Sequence, residues 1–291
     1  MTRIYKVDRP RNPDLPYFAY DAFKPGQVAF PVIRYFVRDI RVGEVNLSLK
    51  QRNGAPILVD DRHGNHVPSK GFLLYFNGNA VQNENDELDA YDYICGSKSV
   101  SLYEWHEIDF GDSKENVLLA KRDYFGENLL PNDGDYQGRD DRGFYGPLEY
   151  IFMHLDEVGE NYSSDNFFRL QMLYMLLWSV IDKYLSLCYS GWDQRRTVNE
   201  WAKWDEFQAT FRKHVRRNDI AYSSQGARSF KLNPHNAQWV ANYYYRIRCN
   251  VVHGGKSNIG DFDKLNQSLW ELMMIFWDVL DASFNVDGFR I

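Results

Sequence analysis

The rhythm of apolar and polar positions changes near residue 145. Before it, short β-type runs alternate with turn signals. Phe30 to Val37, Glu44 to Leu49, Pro56 to Val59 and Gly71 to Phe76 read as strands, and Ser99 to Phe110 and Asn116 to Lys121 add two more. Asn53-Gly54 and Gly64-Asn65 read as hairpin turns, since Asn and Gly tolerate the positive φ such turns require. Gly126 to Gly146, rich in Gly, Asp and Asn, reads as a loop or linker.

After residue 146 the apolar positions recur at helical spacing. Glu149 to Val158 forms a first short helix, and Ser163-Ser164-Asp165 offers an N-cap for a long one running to about Leu187, with Gly191 beyond. That helix is apolar nearly all round, which places it at the centre of a bundle or in a subunit interface. Thr197 to Glu200 fits a capping box, followed by Trp201, Trp204, Phe207, Phe211 and Val215. A polar connector containing Ser223-Ser224-Gln225-Gly226 leads to Asn233-Pro234, which starts a helix over about 236–253 that Gly254-Gly255 stops. A last helix covers roughly Asp261 to Phe284. The chain thus reads as α+β: a β-rich domain over 1–145, then an all-α bundle of about five helices over 146–291.

With 291 residues, 44% of them apolar, the chain can bury two cores. Met1 is followed by no apolar run, and the stretch Leu170 to Ile181 is too short to span a bilayer, so a cytoplasmic protein that avoids membranes is expected. Cys95, Cys188 and Cys249 have no pair spacing, which argues against a disulfide scaffold or zinc ribbon. Asp60, Asp61, His63 and His66 are metal-ligand types without the spacing of a site, and read as exposed hairpin residues. Neither glycine-rich phosphate-loop pattern occurs.

Charge alters the picture of the second half. The net charge is −6, yet residues 195–256 hold 12 basic and four acidic side chains. Such an excess attracts a polyanion, or else pairs with the acidic flanks on folding. Within it, Arg212, Lys213, Arg216 and Arg217 are phosphate-binding candidates. Tyr243-Tyr244-Tyr245 either stack on bases, with Tyr244 the candidate, or pack in the bundle.

The segment richest in chemistry is Arg246-Ile247-Arg248-Cys249-Asn250-Val251-Val252-His253-Gly254-Gly255-Lys256, at the end of the penultimate helix. Its position and its R-x4-H register, Arg248 to His253 with Asn250 inside, resemble the HEPN superfamily and within it the Apea-like group. The resemblance covers about residues 146–284. One departure is Cys249, where many members place a polar residue directly after the Arg.

That resemblance implies a metal-independent endoribonuclease, needing no cofactor, that acts as a homodimer in a bacterial defence or toxin setting. It equally accommodates members that only bind RNA or proteins. His253 would exchange a proton at neutral pH, and Arg248 would clasp phosphate oxygens as charge builds. Asn250 would orient the imidazole or the phosphate, and Lys256 would add a phosphate contact. Arg248 lies about 140° around the helix from His253, whereas Arg246, Asn250 and His253 fall within about 60°. Arg246 is therefore the supporting candidate. His253 also suits a helix cap, where a cation is favoured. The N-terminal domain is expected to act as a sensor or recognition module.

Overall fold

The computed structural model describes residues 7–52, 55–60, 67–77, 89–98, 102–111, 113–121, 127–128, 136, 143–158, 162–189, 193–223, 228–252 and 259–284. The chain divides into two compact units. One comprises Met1–Gly143 with Ser186–Gly191 and Val286–Ile291, and the other Phe144–Leu185 with Trp192–Asn285. The fold class is α+β, with strands in the N-terminal unit and a C-terminal helical part.

In the first unit, β1 (Tyr17–Ala19), β2 (Val37–Val45), β5 (Ser69–Phe76), β6 (Tyr103–Phe110) and β7 (Ser113–Ala120) build a five-stranded sheet in the order β2-β5-β1-β7-β6. A second sheet joins β3 (Ser48–Arg52), β4 (Ala55–Val59) and β8 (Glu127–Asn128) in the order β4-β3-β8. Phe18, Tyr20, Leu58, Leu73, Val117 and Leu119 bury together in its core. Gly71 on β5 is required by close packing, because a Cβ there would sit 2.6 Å from the Ala19 carbonyl oxygen. The turn dipeptides Asn53-Gly54 and Gly64-Asn65 lie outside the described residues, as do Asp61, His63 and His66.

Two expected strands are not single strands. Glu44 to Leu49 spans the end of β2, a bend at Asn46-Leu47 and the start of β3. Phe30 to Val37 holds α1 (Phe30–Ile33) and a 3₁₀ turn over Arg34–Phe36, and only Val37 enters β2. Pro31 in the first helical turn favours that outcome, since its missing N–H has no intrahelical acceptor there anyway. A second helix, α2 (Ala90–Gly96), starts from a capping box between Asp89 and Asp92 that the strand pattern around it conceals.

The second unit contains α3 (Tyr145–Val158), α4 (Ser164–Cys188, up to Leu185), α5 (Gln194–Trp201), α6 (Asp205–His214), α7 (Ala237–Val252) and α8 (Ile259–Phe284). Ser163 caps α4 by accepting from the Asn166 N–H. Leu170, Tyr174, Leu177, Ile181 and Tyr184 bury one side of α4, while Phe168 and Met172 on the other remain exposed. On α8, Leu265, Leu269, Leu272, Phe276, Val279 and Leu280 are buried along one stripe.

Two local features of the helical part depart from the expected pattern. The cap of α5 is Asp193, whose carboxylate accepts from the Arg195 and Arg196 N–H groups. Thr197 sits one turn inside the helix with its hydroxyl on the Asp193 carbonyl, so no capping box forms there. The polar connector also contains an antiparallel hairpin, β9 (Asp219–Tyr222) with β10 (Ser229–Leu232), so the helical part is not all-α. Its strands have four residues each with Ala221 and Leu232 buried, too brief an alternation to stand out in sequence. Ser224 to Gly226 lie outside the described residues.

Candidate functional site

Helix α7 carries the site, and its start is well specified. Asn236 accepts from the Trp239 N–H at 3.0 Å, and no Gly or Pro interrupts the following 16 residues. Ala237, Val240, Ala241, Tyr243, Tyr244 and Ile247 bury its inner face. Trp239, Asn242, Arg246 and Asn250 fall within about 80° on another face, and Arg248 lies about 160° from Arg246.

The contacts follow that division. On one face the Arg246 guanidinium lies 4.5 Å from the centre of the Phe230 ring on β10. Asn250 donates to the Tyr222 carbonyl of β9 at 2.8 Å. The hairpin therefore runs beside Arg246 and Asn250. On the other face, Arg248 reaches Asp182 of α4 at 3.5 Å. Asp182 also accepts from Gln194 at 3.0 Å. Burial raises the Asp182 carboxyl above the usual range, and the Arg248 charge opposes the rise.

Three polar atoms of this segment are buried with no hydrogen-bond partner among the described residues: Arg246 Nε, Arg248 Nε and Asn250 Oδ1. Buried polar atoms are normally paired, so three orphans within about one helical turn leave groups whose partners are not among the described residues. His253 and Lys256 lie outside the described residues, as do Gly254 and Gly255.

The hairpin is held in place by an ionic network that uses up other candidates. Arg217 clasps Glu271 of α8 through Nε at 3.0 Å and Nη2 at 3.1 Å, and reaches Asp219 through Nη1 at 2.6 Å. Tyr243 donates to Asp219 at 2.5 Å, and Lys264 pairs with the same carboxylate at 3.2 Å. Burial alone would lower the Arg217 pKa and raise that of Asp219. The Glu271 contacts reverse the first effect, while Tyr243, Lys264 and Arg217 reverse the second.

Three of the RNA-binding candidates are engaged within the unit. Arg217 is saturated by two carboxylates and is a structural residue here. Tyr244 is fully buried with its hydroxyl on Glu271 at 2.8 Å, so its ring has no face to offer a base. Lys213 pairs with Asp278 of α8 at 3.2 Å, beside His214 on the same oxygen. Of the basic cluster, Arg212 and Arg216 are exposed, with Arg212 lying over its own neighbour Phe211.

Two hollows flank the Arg246 and Asn250 face. One, beside Asn250 and lined by Phe167, Gln171, Ala221 and Ile247 among others, offers about 50 Å³, room only for water. The other is a cleft of about 500 Å³ between α5, β10 and α7, containing Phe230 and Trp239. Of the α7 face that carries Arg246 and Asn250, Trp239 and Asn242 line this cleft.

Among the described residues no cluster of three or more His, Cys, Asp or Glu side chains could hold a metal, and no helix is long and apolar enough to cross a membrane. Comparison with known proteins identifies no relative: no family model, curated protein or solved structure matches the chain.

Proposed function

We propose that the helical unit is a metal-independent endoribonuclease of HEPN type whose active site lies at the C-terminal end of α7. The observation that carries this reading is the set of orphaned polar atoms on Arg246, Arg248 and Asn250, within a segment where the sequence places a proton-transfer histidine. Guanidinium groups suit the charge that builds on a phosphorane, and an unpaired amide oxygen suits a 2′-hydroxyl or an imidazole N–H. His253 moves the proton, and Arg248 with Arg246 supplies positive charge. Two protomers placing two such segments around one RNA would provide acid and base together. The N-terminal unit would sense the trigger in a bacterial defence or toxin setting.

A second reading, a bundle that dimerises or binds RNA without cutting it, draws on a different observation. Arg248 is held by Asp182, and Phe152, Met153, Phe168, Met172 and Trp270 expose apolar surface that a second copy would cover.

The test is incubation of the purified protein with labelled single-stranded RNA in EDTA, beside His253→Ala. Cleavage by the wild type alone is expected. An intact RNA in both lanes, with structured RNA and tRNA also uncut, would sink the nuclease and leave the binding module.

A further inference from the structure

We infer that the cleft between α5, β10 and α7 is a nucleobase-binding site that seats one unpaired base of an RNA strand. The inference rests on the proposed RNA substrate but concerns recognition, not cleavage. Three features of the cleft converge on a base.

First, it offers an aromatic platform. Trp239 is 43% exposed although it belongs to a well-packed helix, and an exposed indole at a cleft wall gives a π-face on which any base can stack. The Lys231 ammonium lies 5.8 Å from the centre of that ring. Phe230 lines the cleft and also carries the Arg246 guanidinium over its ring, which links the cleft to the α7 site.

Second, it contains an amide cluster with hydrogen-bonding capacity left over. Asn199 Oδ1 accepts from Gln238 Nε2 at 2.5 Å and from Asn242 Nδ2 at 3.0 Å, and Asn242 Nδ2 also donates to the Gln238 carbonyl at 2.8 Å. These bonds fix the three amides against one another. They leave Gln238 Oε1 and Asn242 Oδ1 as acceptors and Asn199 Nδ2 as donor, all unused among the described residues. A donor beside an acceptor is what the edge of a nucleobase presents.

Third, the charge is of one sign. Arg195 and Lys231 line the cleft and, among the described residues, no carboxylate does, which favours a phosphate-bearing ligand over a neutral sugar of similar shape. The volume of about 500 Å³ falls in the range of small-ligand clefts, whereas the hollow by Asn250 is far too small for a base. Trp239 and Asn250 are separated by about 16 Å along the helix, a span of two to three nucleotides. A strand seated on Trp239 would thus run along Arg246 towards Asn250.

The experiment measures fluorescence anisotropy of labelled decaadenylate and decauridylate RNA on the full chain, in a His253→Ala background so that no strand is cut. Trp239→Ala is expected to weaken binding by about tenfold or more, and Trp239→Phe to restore most of it. Asn199→Ala is expected to narrow any preference between the two RNAs. Unchanged melting temperatures exclude misfolding, since Trp239 and the amides are not in the core. Equal affinity of Trp239→Ala and its parent, or no binding by either RNA, would overturn the cleft. The cleavage reading is judged apart: cutting by the wild type with affinity indifferent to Trp239 removes only the cleft. Trp239-dependent binding with no cutting removes only the nuclease.

Discussion

The Arg246 guanidinium lies 4.5 Å from the centre of the Phe230 ring, whereas Arg248, two residues on, pairs with Asp182 at 3.5 Å. The two arginines of one motif thus serve opposite faces of α7, one beside the hairpin and one against α4. That separation makes their roles distinguishable.

Arg248→Ala is expected to cost about 1–2 kcal/mol, because it leaves the Asp182 carboxylate half-buried without its counter-charge. Asp182→Asn in the same background should recover much of that loss. Arg246→Ala should cost less than about 1 kcal/mol, the scale of a cation–π contact, while weakening the RNA binding proposed above. Urea midpoints settle the stability half. Equal losses at both arginines, or no recovery with Asp182→Asn, would refute the division.

Glu271→Ala should destabilise the helical unit by about 3 kcal/mol, since Arg217 and the Tyr244 hydroxyl both lose their main partner. Denaturant unfolding followed by a helical signal measures it. A loss below about 1 kcal/mol would mean that the network is solvated in solution.

Tyr244→Phe removes one hydrogen bond to Glu271 and should cost about 1 kcal/mol. The proposed RNA affinity should stay unchanged, because the ring is buried. A clear drop in affinity without a drop in stability would return Tyr244 to the list of stacking residues.

Glu115 of β7 gives the N-terminal unit a pH dependence. Its side chain is fully buried with neither oxygen hydrogen-bonded among the described residues, and burial pushes its pKa from 4.5 up to about 7. Between these values the folded state binds the proton more tightly than the unfolded state does. Stability from this group is therefore complete below about pH 4.5 and lost as pH rises through 7. Ionised Glu115 then costs on the order of 3 kcal/mol. Glu115→Gln should raise the melting temperature of this unit at pH 8 and leave it unchanged near pH 4.5. Identical gains at both pH values would show that Glu115 has no raised pKa.

Much was legible without the fold. The change of rhythm near residue 145, the long helices α4, α7 and α8, and the grouping of Arg246 with Asn250 all follow from local spacing, and local spacing is what a sequence displays directly. The hairpin was not legible, because a four-residue strand with alternate residues exposed leaves almost no periodic trace. Nor was the fate of the basic run. Arg217 meets Glu271 54 positions away and Lys213 meets Asp278 65 positions away, and pairing over such distances leaves no mark on either segment. The sequence by itself determined which side chains share a face of α7, since the helical repeat is a property of the backbone. Only the tertiary structure decided what each face meets. It set Phe230 and the cleft beside one arginine and Asp182 beside the other, because packing chooses neighbours by shape and charge across the whole unit.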